Sequence, residues 1–275
     1  MVLGAFYGQL LAGMREKGMD IHTSLQTARD HGISGVDLAA TDFVKMAPAD
    51  ILALLKEHDM TVESTHDSYV LDYATREGIE ATIEFVKKNM RDAKSIGSPY
   101  YMLVPQPPKY HTPEQQDLFI AACRETFARL TAYGKEIGMQ ATVENYSLWE
   151  HPYTTFDDFD WIFSNIPDAM YTYDSGNFPL ADFDEIEGLN RYIDRTVYVH
   201  LKDLEITKDQ GIVRRGVYYE GPALGDGFVK NWEAVCILDA HGYTGCLTIE
   251  ICSGVNVYDK LLKSADVYSE KLKTL

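Results

Sequence analysis

Short runs of β-branched and aromatic residues alternate along the chain with longer stretches in which apolar positions recur every three or four residues. Val2 to Tyr7 is the first run. Asp20 then caps a helix with Ile21, Leu25 and Ala28 on one face, closed by Gly32. Gly35 to Ala39 (GVDLA) forms a second strand, and Pro48 opens a helix with Ile51, Leu52, Leu54 and Leu55 inward. Met60 to His66 is the third strand, followed by a helix through Ile79, Ile83, Val86 and Met90. Tyr100 to Val104 is the fourth, and Thr112-Pro113 starts a long helix through Phe119, Phe127, Leu130 and Ile137. Gln140 to Asn145 is the fifth, with a helix from Thr155 through Phe156, Phe159 and Ile162. Met170 to Asp174 is the sixth, with a short helix through Phe183, Ile186 and Leu189. Thr196 to Asp203 is the seventh, and a loop is expected from Leu204 to about Gly227. Trp232, Val235 and Leu238 mark the next helix, Cys246 to Cys252 the eighth strand, and Tyr258, Leu261, Leu262 and Ala265 the last helix.

Eight strands and about eight helices in strict order predict a parallel sheet with helices outside. Units of about 34 residues in a chain of 275 fit a closed (β/α)8 TIM barrel of class α/β. No linker-like stretch divides the chain, so residues 1–275 are expected to be one domain. A doubly wound sheet has the same alternation, but the first strand–helix turn, Tyr7-Gly8-Gln9-Leu10, carries no GxGxxG, and no Walker A sequence occurs. The opening MVLGAFYGQLLAGM lacks a basic segment and is broken by Gly4, Gly8 and Gln9, so it reads as a buried strand rather than a leader.

With 45% apolar and 24% charged residues, the composition is that of a folded globular chain. Forty-two acidic against 25 basic residues give a net charge of −17, and no basic stripe is present to neutralise phosphates. Nucleic acid and, for want of an 18-residue apolar run, a membrane are therefore not expected as partners. Four cysteines without CxxC spacing suit a reduced, cytoplasmic protein.

A TIM barrel carries its chemistry at the C-terminal ends of its strands. The fifth to eighth strands end in Glu144, Asp174, His200 and Glu250, spaced 30, 26 and 50 residues apart. Barrel closure would gather these side chains at the mouth. Three carboxylates and one imidazole favour one hard divalent cation: Mn²⁺ first, with Mg²⁺, Co²⁺ or Zn²⁺ as alternatives. Without a cation, three clustered carboxylates would not all stay ionised. His66, at the end of the third strand, is expected to contact substrate. By alternation Lys202 points to the same side as His200, able to bind a hydroxyl, carboxylate or phosphate or to pair with a neighbouring acid, and Asp203 follows it. Arg215, in the long loop, is a further substrate candidate. Asn145 is expected to brace Glu144. Phe6, Tyr7, Tyr69 and Trp149 are candidates for an apolar wall over a sugar ring, and Cys252 for a small packing residue.

VENY at 143–146, YDSGN at 173–177, VHLKD at 199–203, LGDG at 224–227 and TIE at 248–250 resemble the xylose-isomerase-like TIM-barrel superfamily. Its members include sugar-phosphate isomerases and epimerases, the tagatose/psicose 3-epimerases, hydroxypyruvate isomerase, inosose dehydratase and endonuclease IV. The resemblance implies one divalent metal on Glu144, Asp174, His200 and Glu250, with Glu144 and Glu250 doubling as catalytic acid and base. Asn177 stands where many relatives carry a second histidine and others asparagine, and it joins His66, Lys202, Asp203 and Arg215 among the expected substrate contacts.

The implied function is a metal-dependent isomerase or epimerase of a ketose or related sugar, free or phosphorylated. It would work by proton transfer through a metal-stabilised enediolate. A dehydratase or lyase acting on a keto-sugar or keto-inositol is the alternative from the same site. A non-catalytic sugar-binding role is a third. An endonuclease IV-like nuclease would need further histidines, and Asn177 and Phe228 stand where they are required. Relatives suggest a homodimer or homotetramer.

Overall fold

The computed structural model describes residues 1–148, 151–252 and 254–275. The strands are β1 (Val2–Phe6), β2 (Ile33–Ala39), β3 (Thr61–Val70), β4 (Tyr100–Gln106), β5 (Gln140–Glu144), β6 (Met170–Asp174), β7 (Thr196–Lys202), β8 (Glu205–Thr207), β9 (Ile212–Arg214), β10 (Val217–Glu220) and β11 (Cys246–Glu250). β1 to β7 and β11 pair in parallel, and β11 closes the sheet onto β1 to make an eight-stranded barrel. The connecting helices bury the faces that the periodicity marks. Leu25 and Ala28, Ile51 and Leu55, Ile83, Val86 and Met90, Phe119 and Phe127, and Leu261 and Ala265 all lie in one core between barrel and helices. Each large side chain so buried contributes about 1.5–3 kcal/mol. The expected caps Asp20 and Thr155 each accept a backbone N–H of the first turn they precede, and Thr75, which the sequence reading did not mark, does the same for its helix.

Inside the barrel, polar rungs replace a hydrophobic filling. Thr142 and Thr172 share a hydrogen bond of 2.8 Å, and Tyr198 and Thr248 one of 2.5 Å. Gly4 and Gly35 leave room for Cys246, whose sulfur would lie 2.5 Å from a Cβ at position 4. The register then sets the site. Asp174, His200 and Thr248 lie level across β6, β7 and β11, and Lys202 and Glu250 lie level one inward-facing step higher.

The structure differs from the sequence reading in three places. β3 continues four residues past His66, pairing with β4 up to Val70 and Gln106. The carboxylate of Asp67, the next residue, is buried behind the sheet, accepting from the Tyr101 hydroxyl at 2.7 Å and the Asn89 amide at 3.1 Å. The segment expected as a loop from Leu204 to Gly227 holds a small antiparallel sheet in the order β8-β10-β9. Strands of three or four residues are too short to print a period on the sequence. Finally, Tyr7 begins the short helix Tyr7–Leu10, and Asn177–Leu180 forms another between β6 and the predicted helix. Among the described residues, no helix is long and apolar enough to cross a membrane.

Candidate functional site

Glu144, Asp174, His200 and Glu250 come together at the barrel mouth. Each presents one ligand atom, and these atoms all lie within 4.8 Å of one another. His200 is fully buried. Its Nδ1 lies 2.6 Å from Glu144 Oε1 and 3.8 Å from Glu250 Oε2, while its Nε2 faces Asp37 Oδ2 at 3.3 Å. With Nε2–H donated to Asp37, Nδ1 is the nitrogen available to a cation, the arrangement in which an outer carboxylate fixes a ligand histidine's tautomer.

Lys202 lies among the same acids. Its Nζ is 2.7 Å from Asp174 Oδ2, 2.8 Å from Glu250 Oε1 and 3.1 Å from Asn177 Oδ1. Gly176 makes this possible, since a Cβ there would lie 2.6 Å from the lysine stem. Asp174 Oδ1 accepts the N–H groups of Gly176 and Asn177 at 2.8 and 3.0 Å. Oδ2 is close to the ammonium but off the angle for a hydrogen bond, so among the described residues it has no hydrogen-bond partner. A buried carboxylate oxygen left this way, beside two further carboxylates and an oriented imidazole, suits a divalent cation with mostly oxygen ligands.

The electrostatics follow from crowding in a dry place. Burial, reinforced by Asp174 and Glu144, pushes Glu250 up to about 7 against the opposing pull of Lys202 and His200. Burial also acts against the charged forms of His200 and Lys202. The hydrogen bonds and charges of Asp37 and Glu144 outweigh it for His200, and Asp174, Glu250 and Glu144 outweigh it for Lys202, so both are held well above their ordinary values. Asp37 is fully buried too, but His66 and His200 hold it down to about 2. All these shifts describe the site without a cation.

The other expected contacts divide. His66 faces the mouth from within β3. Its Nδ1 is 2.6 Å from Asp37 Oδ1, and Phe6 stands edge-on to both His66 and His200 at 5.1 and 4.8 Å between ring centres. Asn177 is buried and committed to Lys202 and to the Asn145 carbonyl. Asn145, expected to brace Glu144, braces Asp174 instead. Its side chain accepts the Asp174 N–H at 2.9 Å and the Tyr171 hydroxyl at 2.7 Å and donates to the Asp174 carbonyl.

Three expectations are corrected. The Asp203 carboxylate accepts four backbone N–H groups, from Leu204, Gly225, Gly227 and Val229, so it ties down the chain after β10 and has no oxygen left for a substrate. Arg215 is half-exposed and ion-paired with the equally exposed Asp182. Its neighbour Arg214 points inward, donating to the Ser147 carbonyl and hydroxyl at 3.2 Å. Tyr7 and Tyr69 belong to the core between barrel and helices, which leaves Phe6, among the described candidates for an apolar wall, beside the cluster. Trp149 lies outside the described residues. Cys252 packs against Leu180, Leu204 and Val229.

Asp37, inside the second strand GVDLA, had no role in the sequence reading. An acid in the middle of the apolar run GVDLA is the signal that could have found it, because a carboxylate is not buried there without partners.

The comparisons agree with this architecture. The sequence pattern of the family described as Xylose isomerase-like TIM barrel matches residues 25–275. An inosose dehydratase of Lactiplantibacillus plantarum is 24% identical over 197 residues, and the chain spans 65% of that relative's length and matches over 65% of its own. Among solved structures, a zinc-bound IOLI protein superposes with a TM-score of 0.73 at 15% identity, covering 100% of this chain and 97% of that one. A xylose isomerase-like protein of Mycobacterium smegmatis in complex with magnesium gives 0.69 at 15% identity, covering 99% and 97%. The closed barrel, the ordered motifs and the match over residues 25–275 together make this chain a member of the xylose isomerase-like TIM-barrel family.

Proposed function

We propose that this protein is a divalent-metal-dependent isomerase or epimerase of a ketose or related sugar. The observation that carries the reading is the cluster of Glu144, Asp174, His200 and Glu250, whose ligand atoms lie within 4.8 Å of one another. These four residues would hold the cation. Zinc in the IOLI protein and magnesium in the Mycobacterium smegmatis protein support a divalent ion on this fold, and the oxygen-rich set favours Mn²⁺.

Held by those four residues, a divalent cation would polarise a substrate carbonyl and acidify the neighbouring C–H. One of Glu144 and Glu250 removes that proton and the other returns a proton, each needing only hydrogen-bond reach to its own face of the sugar. Return to the opposite face of the same carbon is epimerisation, and return to the adjacent carbon is isomerisation. Lys202 holds Glu250 and Asp174 in place and presents an ammonium to a substrate oxygen. His66, fixed by Asp37, offers its Nε2 to a hydroxyl.

A second reading, dehydration of a keto-sugar or keto-inositol, is supported by the relative named inosose dehydratase. In that case the proton from a glutamate or Lys202 goes to a departing hydroxyl, and water leaves.

Incubation of a keto-sugar panel with the metal-loaded enzyme in D₂O, followed by NMR, tests both. Deuterium at the inverted carbon indicates epimerisation, deuterium at the adjacent carbon isomerisation, and loss of water dehydration. Absence of exchange and of dehydration across the panel, with metal bound, contradicts the proposal.

A further inference from the structure

A second cluster lies on the outside of the barrel. The helix Ile21–Asp30 carries His22, Gln26 and Asp30 at successive turns of one face. They meet the end of the helix Pro48–Glu57, where Glu57 is the last helical residue and His58 the cap. His22 Nδ1 is 3.1 Å from His58 Nε2 and 3.6 Å from Glu57 Oε1. A tetrahedral shell with bonds of about 2.0–2.2 Å places neighbouring ligand atoms roughly 3.4 Å apart, and the two separations fall on either side of that value.

The protonation pattern is fixed from behind. Gln26 Nε2 donates to Asp30 Oδ1 at 2.8 Å, which turns the amide oxygen toward His58, 3.3 Å from its Nδ1. An amide oxygen only accepts, so His58 Nδ1 carries the proton and Nε2 presents its lone pair toward His22. That is the outer hydrogen bond which orients a ligand histidine. His58 is nearly buried, whereas the side chains of His22 and Glu57 are more than half exposed, leaving a route of entry and room for water.

We infer that His22, Glu57 and His58 form a second cation site, for a borderline transition ion such as Zn²⁺, clasping the helix Ile21–Asp30 to the end of the helix Pro48–Glu57. Two imidazoles and one carboxylate favour zinc, nickel or copper over manganese or magnesium. This separates the site chemically from the oxygen-rich cluster at the mouth.

Chelator-stripped wild type and His22→Gln are each titrated with Zn²⁺ and, separately, with Mn²⁺ at micromolar free ion. Circular dichroism checks that the exposed substitution leaves the fold intact. Wild type is expected to take up one more zinc ion per chain than His22→Gln, with no difference for manganese. Equal zinc stoichiometry overturns the site. A difference of one with manganese as well overturns its assignment to a borderline ion. Because the readout is a difference between two chains, it does not depend on what the barrel mouth binds.

Discussion

Asp37 and Lys202 show how much of the site lies behind the four clustered residues. Asp37 receives both His66 and His200, so Asp37→Asn would leave His200 without its orienting carboxylate. A loss of about 10–100-fold in metal affinity is expected, read by competition with a chromophoric chelator. An unchanged affinity would show that His200 needs no such partner. Glu144→Gln and Glu250→Gln should each reduce kcat by at least about 10³-fold in folded protein, since each removes half of an acid–base pair. Retained turnover in either variant refutes the paired roles. His151 makes a different prediction. Burial pulls its pKa down to about 4, while its Nε2–H donates to the Pro105 carbonyl at 2.8 Å. The unfolded chain therefore binds this proton first as pH falls. Stability from neutral His151 is complete above about 6.5 and is lost between about 6.5 and 4, by up to about 3 kcal/mol. In urea denaturation across this range, His151→Gln should fall less steeply than wild type. Equal slopes would contradict the assignment.

At the level of elements, legibility in the sequence followed length. The helices Arg76–Ser95 and Val257–Leu272 each repeat their apolar face over several turns, so their inward residues could be read directly. Strands β8, β9 and β10 have three, three and four residues, and their pairing is a tertiary fact that no local period records. The same limit explains Asp203. Its place three residues after His200, an expected ligand, suggested substrate, but three of its four partners lie 22 to 26 residues away, in a segment whose path the sequence does not reveal. Gly227 records that path in one position, because a Cβ there would lie 2.2 Å from Asp203 Oδ1. Asp203→Ala strands four amides and should lower the unfolding free energy by about 3 kcal/mol, measured by urea denaturation. A change in KM with stability untouched would instead return Asp203 to the substrate.

For the whole molecule, strand order is the quantity that local sequence conveyed best. Eight strand–helix units implied closure, and closure brings residues as far apart as Glu144 and Glu250 to one imidazole. Asn177 and Asp203, both just beyond strand ends, were expected to touch substrate alike, and only packing distinguishes the residue beside the cluster from the one that ties down a distant loop. The charge of −17 also acquires a local meaning, since three of the 42 acids share a buried cluster with an ammonium and an imidazole. An ion held there at a hundred times its Kd adds about 2.7 kcal/mol to folding, or about 5 °C in Tm for a chain of this size. The most direct test of the metal centre is an anomalous difference map from crystals soaked in Mn²⁺. The account predicts one peak bonded to Glu144, Asp174, His200 and Glu250, at about 2.0–2.3 Å from each ligand atom. No peak at those four residues, under conditions where the protein turns over its substrate, would contradict it.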